Sequence, residues 1–112
     1  MTTEPRYAPD RFERAIAAVH VLIGERGIGR HALFGEVNEG TLFPDETEAM
    51  SGHVVDEQGR IHFFWTDWDA ERQRPTFVIW REVLPEDRWL TDGEYLRARR
   101  AVGLDQPARH LA

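Results

Sequence analysis

The segment Gly52–Asp69, GHVVDEQGRIHFFWTDWD, constrains the fold more than any other part of the chain. Two β-prone runs meet there through DEQGR, which suits a type I turn followed by Gly59 in the left-handed conformation, a three-residue hairpin loop closed by a G1 bulge. That loop sets Asp56 opposite Arg60, Val55 opposite Ile61, Val54 opposite His62 and His53 opposite Phe63. Opposed residues share a face and faces alternate along a strand. His53, Val55, Ile61, Phe63 and Trp65 therefore occupy one side, and Val54, His62, Phe64, Thr66 and Trp68 the other. With the two histidines on opposite sides, they cannot jointly hold a metal. A four-residue loop would slip the register by one residue and set His53 directly across from His62.

The next run, RPTFVIWREV, predicts a third strand over Thr76–Val83, reached through a polar loop at Ala70–Pro75. It puts Phe77, Ile79 and Val83 on one side and Val78 and Trp80 on the other. A sheet with one wet face alternates apolar with polar residues, and these strands are apolar on both faces. Val54, Phe64, Trp68, Val78 and Trp80, with His62 among them, form a candidate aromatic contact surface, since tryptophan dominates interface energetics and large apolar patches mark contact sites. Alternatively, one terminal helix crosses each face and all of these residues are core. A third reading makes the aromatic face the wall of a small-molecule pocket with His62 or Tyr95 as its polar group.

The flanking segments read as helical. Asp10 caps a helix with Glu13 three residues on, and Phe12, Ile16, Val19 and Ile23, widened by Ala15 and Leu22, follow at helical spacing until Gly24 and Gly27. Leu33, Phe34 and Val37 line a short second helix closed by Gly40, despite Gly35 within it. TLFPDETEAMSG is an acidic loop with a helical turn after Pro44. Near the C-terminus, Thr91 and Glu94 make a capping box for a helix packed through Tyr95, Ala98 and Val102 with Leu96 beside them, stopped by Gly103 and Pro107. The expected fold class is α+β: an N-terminal helix and short second helix, a three-stranded antiparallel β-meander and a C-terminal helix. Residues 1–112 make a single domain, with 1–9 and 104–112 as loose tails.

Composition removes several chemistries. The 112 residues contain no cysteine, and all 14 Lys+Arg residues are arginine. Thiolate nucleophiles, disulfides, zinc fingers, iron–sulfur ligation, Schiff bases and a P-loop lysine are therefore excluded. Ser51 is the sole serine. The net charge of −6 disfavours nucleic acid as the partner, and no apolar run approaches the ~20 residues of a membrane span.

Other signals stay structural. DWDAER at Asp67–Arg72 lacks the glycine and the closing glutamate of a calcium loop, with Val78 at the twelfth position. GIGRHA, Gly27–Ala32, matches a dinucleotide fingerprint by letter, but a helix precedes it where a strand is required. The order of helix, short helix and hairpin resembles a winged helix-turn-helix, yet acids stand where phosphates would lie.

No catalytic residue, metal site or cofactor is assigned, and the balance leans away from an enzyme. The expectation is a soluble, cytoplasmic accessory or regulatory protein acting by protein–protein contact through an aromatic sheet face, as a homodimer. The alternatives are a small-molecule binder or hydrolase-like protein using His62, and an acidic winged-helix-like regulator.

Overall fold

The structure, a computed structural model, describes residues 9–87 and 89–104. Helix α1 (Pro9–Glu25) is followed by strands β1 (Ala32–Leu42), β2 (Glu48–Val55), β3 (Ile61–Asp69) and β4 (Arg74–Val83), a 3₁₀ turn at Pro85–Asp87 and helix α2 (Asp92–Ala101). The strands form one sheet in the order β1-β2-β3-β4, every neighbouring pair antiparallel. The class is α+β, with four strands and two helices where the sequence suggested three of each. No helix among the described residues is long and apolar enough to cross a membrane.

The expected short second helix is strand β1. Leu33, Phe34 and Val37 satisfy helical spacing, but they also fit a strand once β2 lies beside them: Leu33 pairs with Val54, Phe34 with His53 and Val37 with Met50. Gly35, a penalty in a helix, is directly opposite Gly52. A Cβ on Gly52 would collide with the Phe34 carbonyl and with the Gly35 backbone. The two strands approach so closely there that the backbone must do without side chains.

The segment read as an acidic loop is a hairpin turn. Phe43 N–H donates to the Thr47 carbonyl and Glu46 N–H to the Phe43 carbonyl, each at 2.8 Å. This matches the β2–β3 turn, where Asp56 N–H donates to the Arg60 carbonyl (3.0 Å) and Gly59 N–H to the Asp56 carbonyl (2.9 Å). Both loops place their third residue in the left-handed region, Glu46 at φ 68° and Gly59 at φ 84°. The first was hidden in the sequence because a glutamate occupies the position glycine ordinarily marks. Asp45 compensates, its Oδ1 accepting from the Thr47 N–H (3.0 Å) and hydroxyl (2.6 Å).

The β2–β3 register is the one DEQGR implies: Val55 opposite Ile61, Val54 opposite His62, His53 opposite Phe63. Along β3–β4 the register shifts between Trp65, opposite Ile79, and Thr66, opposite Phe77. Val78 is the extra residue of that bulge. Phe77 is thereby turned onto the Trp80 side of the sheet, its ring 4.8 Å from that of Trp80, and off the Ile79 side where strict alternation would put it.

Each face has its own helix. On one, α1 sends Ala15, Val19 and Ile23 against Met50, Val54 and Phe64, flanked by Leu33, Val37, Phe77 and Trp80. On the other, Ala98 of α2 and Leu90 ahead of it meet Val55 and Ile61, with Ala32, Phe34, Val83 and Tyr95 around them. Neighbouring Val54 and Val55 are both fully buried, beneath different helices. That explains a middle of the sheet that reads as apolar on both sides.

The helix ends follow their chemistry. Thr91 accepts from Glu94 N–H (3.1 Å) while the Glu94 carboxylate accepts from Thr91 N–H (2.9 Å), the expected capping box. At the other end, α1 begins at Pro9 and runs through Gly24 to Glu25, the chain reversing at Gly27. Pro9 and Leu104, assigned to loose tails, belong to the fold: Leu104 N–H donates to the Arg99 carbonyl. Residues 1–8, 105–112 and the side chain of Asp10 lie outside the described residues.

Two substitutions test this account by urea midpoint. Glu46→Gly relieves a left-handed conformation and should stabilise by about 0.5–1 kcal/mol, the exposed 3.9 Å ion pair with Arg14 contributing little. Gly52→Ala should destabilise by about 3 kcal/mol, because the collision is with backbone that cannot yield locally.

Candidate functional site

Five of the six residues singled out from the sequence lie on the α1 side of the sheet, and the sixth, Val78, is on the β4 bulge. Val54 and Phe64 are fully buried under α1 and offer nothing to a partner. Trp80 lies beside them, with Phe77 against its ring and the Arg26 guanidinium 4.6 Å from its centre. Trp68 is half-buried against Phe43, ring centroids 5.7 Å apart. Val78, on the bulge, is the only one of the six that is mainly exposed. The presumed aromatic contact face is thus largely the α1 core.

His62 serves the turn. Its ring stacks on Trp80 (centroids 5.0 Å, 23° between planes), and its Nε2 lies 2.8 Å from Asp56 Oδ2. Asp56 Oδ1 accepts from the N–H groups of Gln58 and Arg60, both at 2.9 Å. Burial pushes the Asp56 carboxyl up, but the bonds from His62, Arg60 and Gln58 outweigh it and hold the group below its ordinary value. Asp56 is therefore a carboxylate at neutral pH, and an ionised carboxylate only accepts, so His62 Nε2 is the donor. An imidazole engaged this way is not available as the polar group of a pocket.

A second histidine pair bridges α1 and the approach to β1. His31 Nδ1 donates to the Gly29 carbonyl (2.7 Å), leaving Nε2 as the acceptor for His20 Nδ1, also at 2.7 Å. Burial and then the neighbouring His31 lower the His20 pKa. Among the described residues no three or more metal-ligating side chains gather.

The open aromatic surface is on the α2 side. Successive cross-strand rows there are Ala32–Val55–Ile61–Val83, then Phe34–His53–Phe63–Arg81, then Glu36–Ser51–Trp65–Ile79. The first row packs with the α2 cluster. Above the second stands Trp89, 76 % exposed, with ring centroids 5.4 Å from His53 and 5.7 Å from Phe63. His53 and Phe63 are themselves 5.5 Å apart, so the three rings pack as one cluster. The third row is open, Trp65 being 42 % and Ile79 40 % exposed.

Two hollows flank the Trp89 indole, and both are lined by His53, Phe63 and Trp89. The one of about 290 Å³ adds Arg81, Glu82, Leu84 and Asp87. The one of about 260 Å³ adds Phe34, Glu36, Ser51, Leu90 and the backbones of Gly35 and Gly52. His53 is 6 % exposed and its ring has no hydrogen-bond partner among the described residues. Burial lowers its pKa, so the imidazole facing the hollows is neutral near pH 7.

Neither His53 nor Trp89 is among the residues singled out from the sequence. A signal was present: Leu90 precedes the Thr91 cap and Tyr95 is the fourth helical residue, the positions of a hydrophobic staple, and both join the cluster around Val55. A stapled helix entry fixes the path of the chain just before it, which delivers Trp89 onto the sheet.

The histidines make stability pH-dependent. His53 and His20 both have folded pKa values below the 6.5 of an unperturbed imidazole. The unfolded chain therefore binds more protons as pH falls below about 6.5, and their contribution, complete above that value, is lost on descending through the folded pKa values. Urea midpoints should fall from pH 7.5 to 5.5, and His53→Leu should flatten that slope. An unchanged slope would show that His53 is not desolvated. Comparison with family models, with curated proteins and with solved structures finds no match to the chain.

Proposed function

We propose that this is a non-enzymatic, soluble cytoplasmic accessory protein that acts by protein–protein contact, self-associating through the sheet face that α2 leaves open. The observation carrying this reading is the exposed, directly opposed pair Trp65 and Ile79 on that face. Two large apolar side chains side by side on a flat sheet lose little conformational entropy on contact and bury much area.

Several features favour the face over the edge. Edge strand β4 carries Arg74 and Pro75 at its start, a bulge at Val78, and Arg81 and Glu82 near its end. Proline, bulges and charges are the devices that block strand addition. Shape then selects the symmetry. Helix α2 fills one end of the face with a layer about 10 Å thick, the spacing of two packed sheets. A two-fold axis parallel to the strands would force both copies of α2 into the same space. An axis across the strands sets each α2 beyond the end of the partner's sheet and brings the Trp65–Ile79 pairs of the two copies together.

The helix-turn-helix alternative lacks its second helix, since that segment is β1, and a pocket using His62 lacks a free imidazole. Sedimentation equilibrium tests the proposal. The wild-type chain should be dimeric at micromolar concentration. Trp65→Glu should weaken association by about 100-fold or more with unchanged circular dichroism. A wild-type chain that stays monomeric, or a Trp65→Glu variant that stays dimeric, would refute it.

A further inference from the structure

We infer that the hollow on the β1 side of Trp89 is a binding site for a small organic ammonium ion bearing a flat apolar group, an arylalkylamine in chemical class. The site is built within one chain and does not require the self-contact proposed above. Its walls are Phe34, Phe63, Trp89 and Leu90, and its floor is the Gly35–Gly52 crossing, where the absence of side chains leaves backbone as the base. At about 260 Å³ it lies just below the ~300 Å³ at which drug-sized pockets begin, which sets the ligand's size.

The polar groups decide the ligand's charge. Among the described residues Glu36 is the only formally charged side chain lining this hollow. Across Trp89, Glu82 and Asp87 outnumber Arg81 in the neighbouring hollow, and the whole chain carries −6. Aromatic walls with a carboxylate are the chemistry that attracts an organic cation, through ring quadrupole and ion pairing together. An anion would meet Glu36 with no compensating base among the described lining residues.

His53 points to a ligand independently of charge. Its ring, more than nine-tenths buried, lines the hollow without a hydrogen-bond partner among the described residues. A ligand group that meets this ring can supply the partner it lacks. A neutral imidazole offers a lone pair to an ammonium N–H, while Ser51 and Glu36 lie along the same wall to accept others. The flat group of the ligand then rests against the exposed Trp89 indole.

The test is a titration of phenethylamine, with 3-phenylpropionate as the anionic probe of similar shape, into wild-type protein and into Trp65→Glu. The second background removes the proposed self-contact, so the two readings fail separately. Phenethylamine should bind saturably in both, shifting the Trp89 indole N–H and the Ser51 and Gly52 amides in ¹⁵N spectra. Glu36→Gln should weaken binding by about tenfold, and His53→Leu should weaken it with the fold retained by circular dichroism. Phenylpropionate should not bind. Equal affinity for both probes, saturable binding indifferent to Glu36→Gln, or no saturable shift in the folded Trp65→Glu variant would each overturn the inference.

Discussion

Asp56 stands where the chain turns between β2 and β3, and the rest of the fold depends on what its carboxylate holds. It collects the N–H groups of Gln58 and Arg60 and the imidazole of His62, which fixes a three-residue loop and with it the register. The register sends Val54 and Phe64 to α1 and Val55 and Ile61 to α2. A slip of one residue would exchange the two sets, expose each core's centre and bury His62. The α2 helix reinforces the same turn from outside: the Tyr95 hydroxyl donates to the Gly59 carbonyl at 3.0 Å.

With two short helices on opposite faces, neither face is covered throughout. The α1 side is closed by side-chain size, since Phe64, Phe77 and Trp80 reach the helix and Arg26 lies over the indole. The α2 side is closed only where the ten-residue helix crosses. Beyond it the sheet offers Trp65 and Ile79, and at the boundary His53 and Trp89. The proposed self-contact and the inferred ligand site rest on one feature: a helix too short for its sheet leaves an apolar strip and a step beside it.

Much of this was legible in the residues. The α1 stripe, the Thr91–Glu94 box and the DEQGR turn rest on interactions within a few residues of one another, and each is where local chemistry puts it. The misreadings share a cause. LFGEVNEG satisfies two periodicities, and its choice between them is made by β2, a partner more than ten residues away. Glu46 adopts a glycine's conformation because strands on either side hold it there. Phe77 changes sides through a bulge that nothing in RPTFVIWREV announces.

The sequence by itself determined the hairpin register, the helices α1 and α2, the chemistries excluded by missing cysteine and lysine, and the separation of His53 from His62, because these follow from short-range sterics, hydrogen bonding and composition. Only the tertiary structure decided that a fourth strand completes the sheet, which aromatic face is core and which is open, and that His53 rather than His62 lines a hollow. Those outcomes depend on which helix crosses which face and how far along it reaches. Helix placement is set by competition among long-range packing arrangements, and no local pattern in the chain records the result.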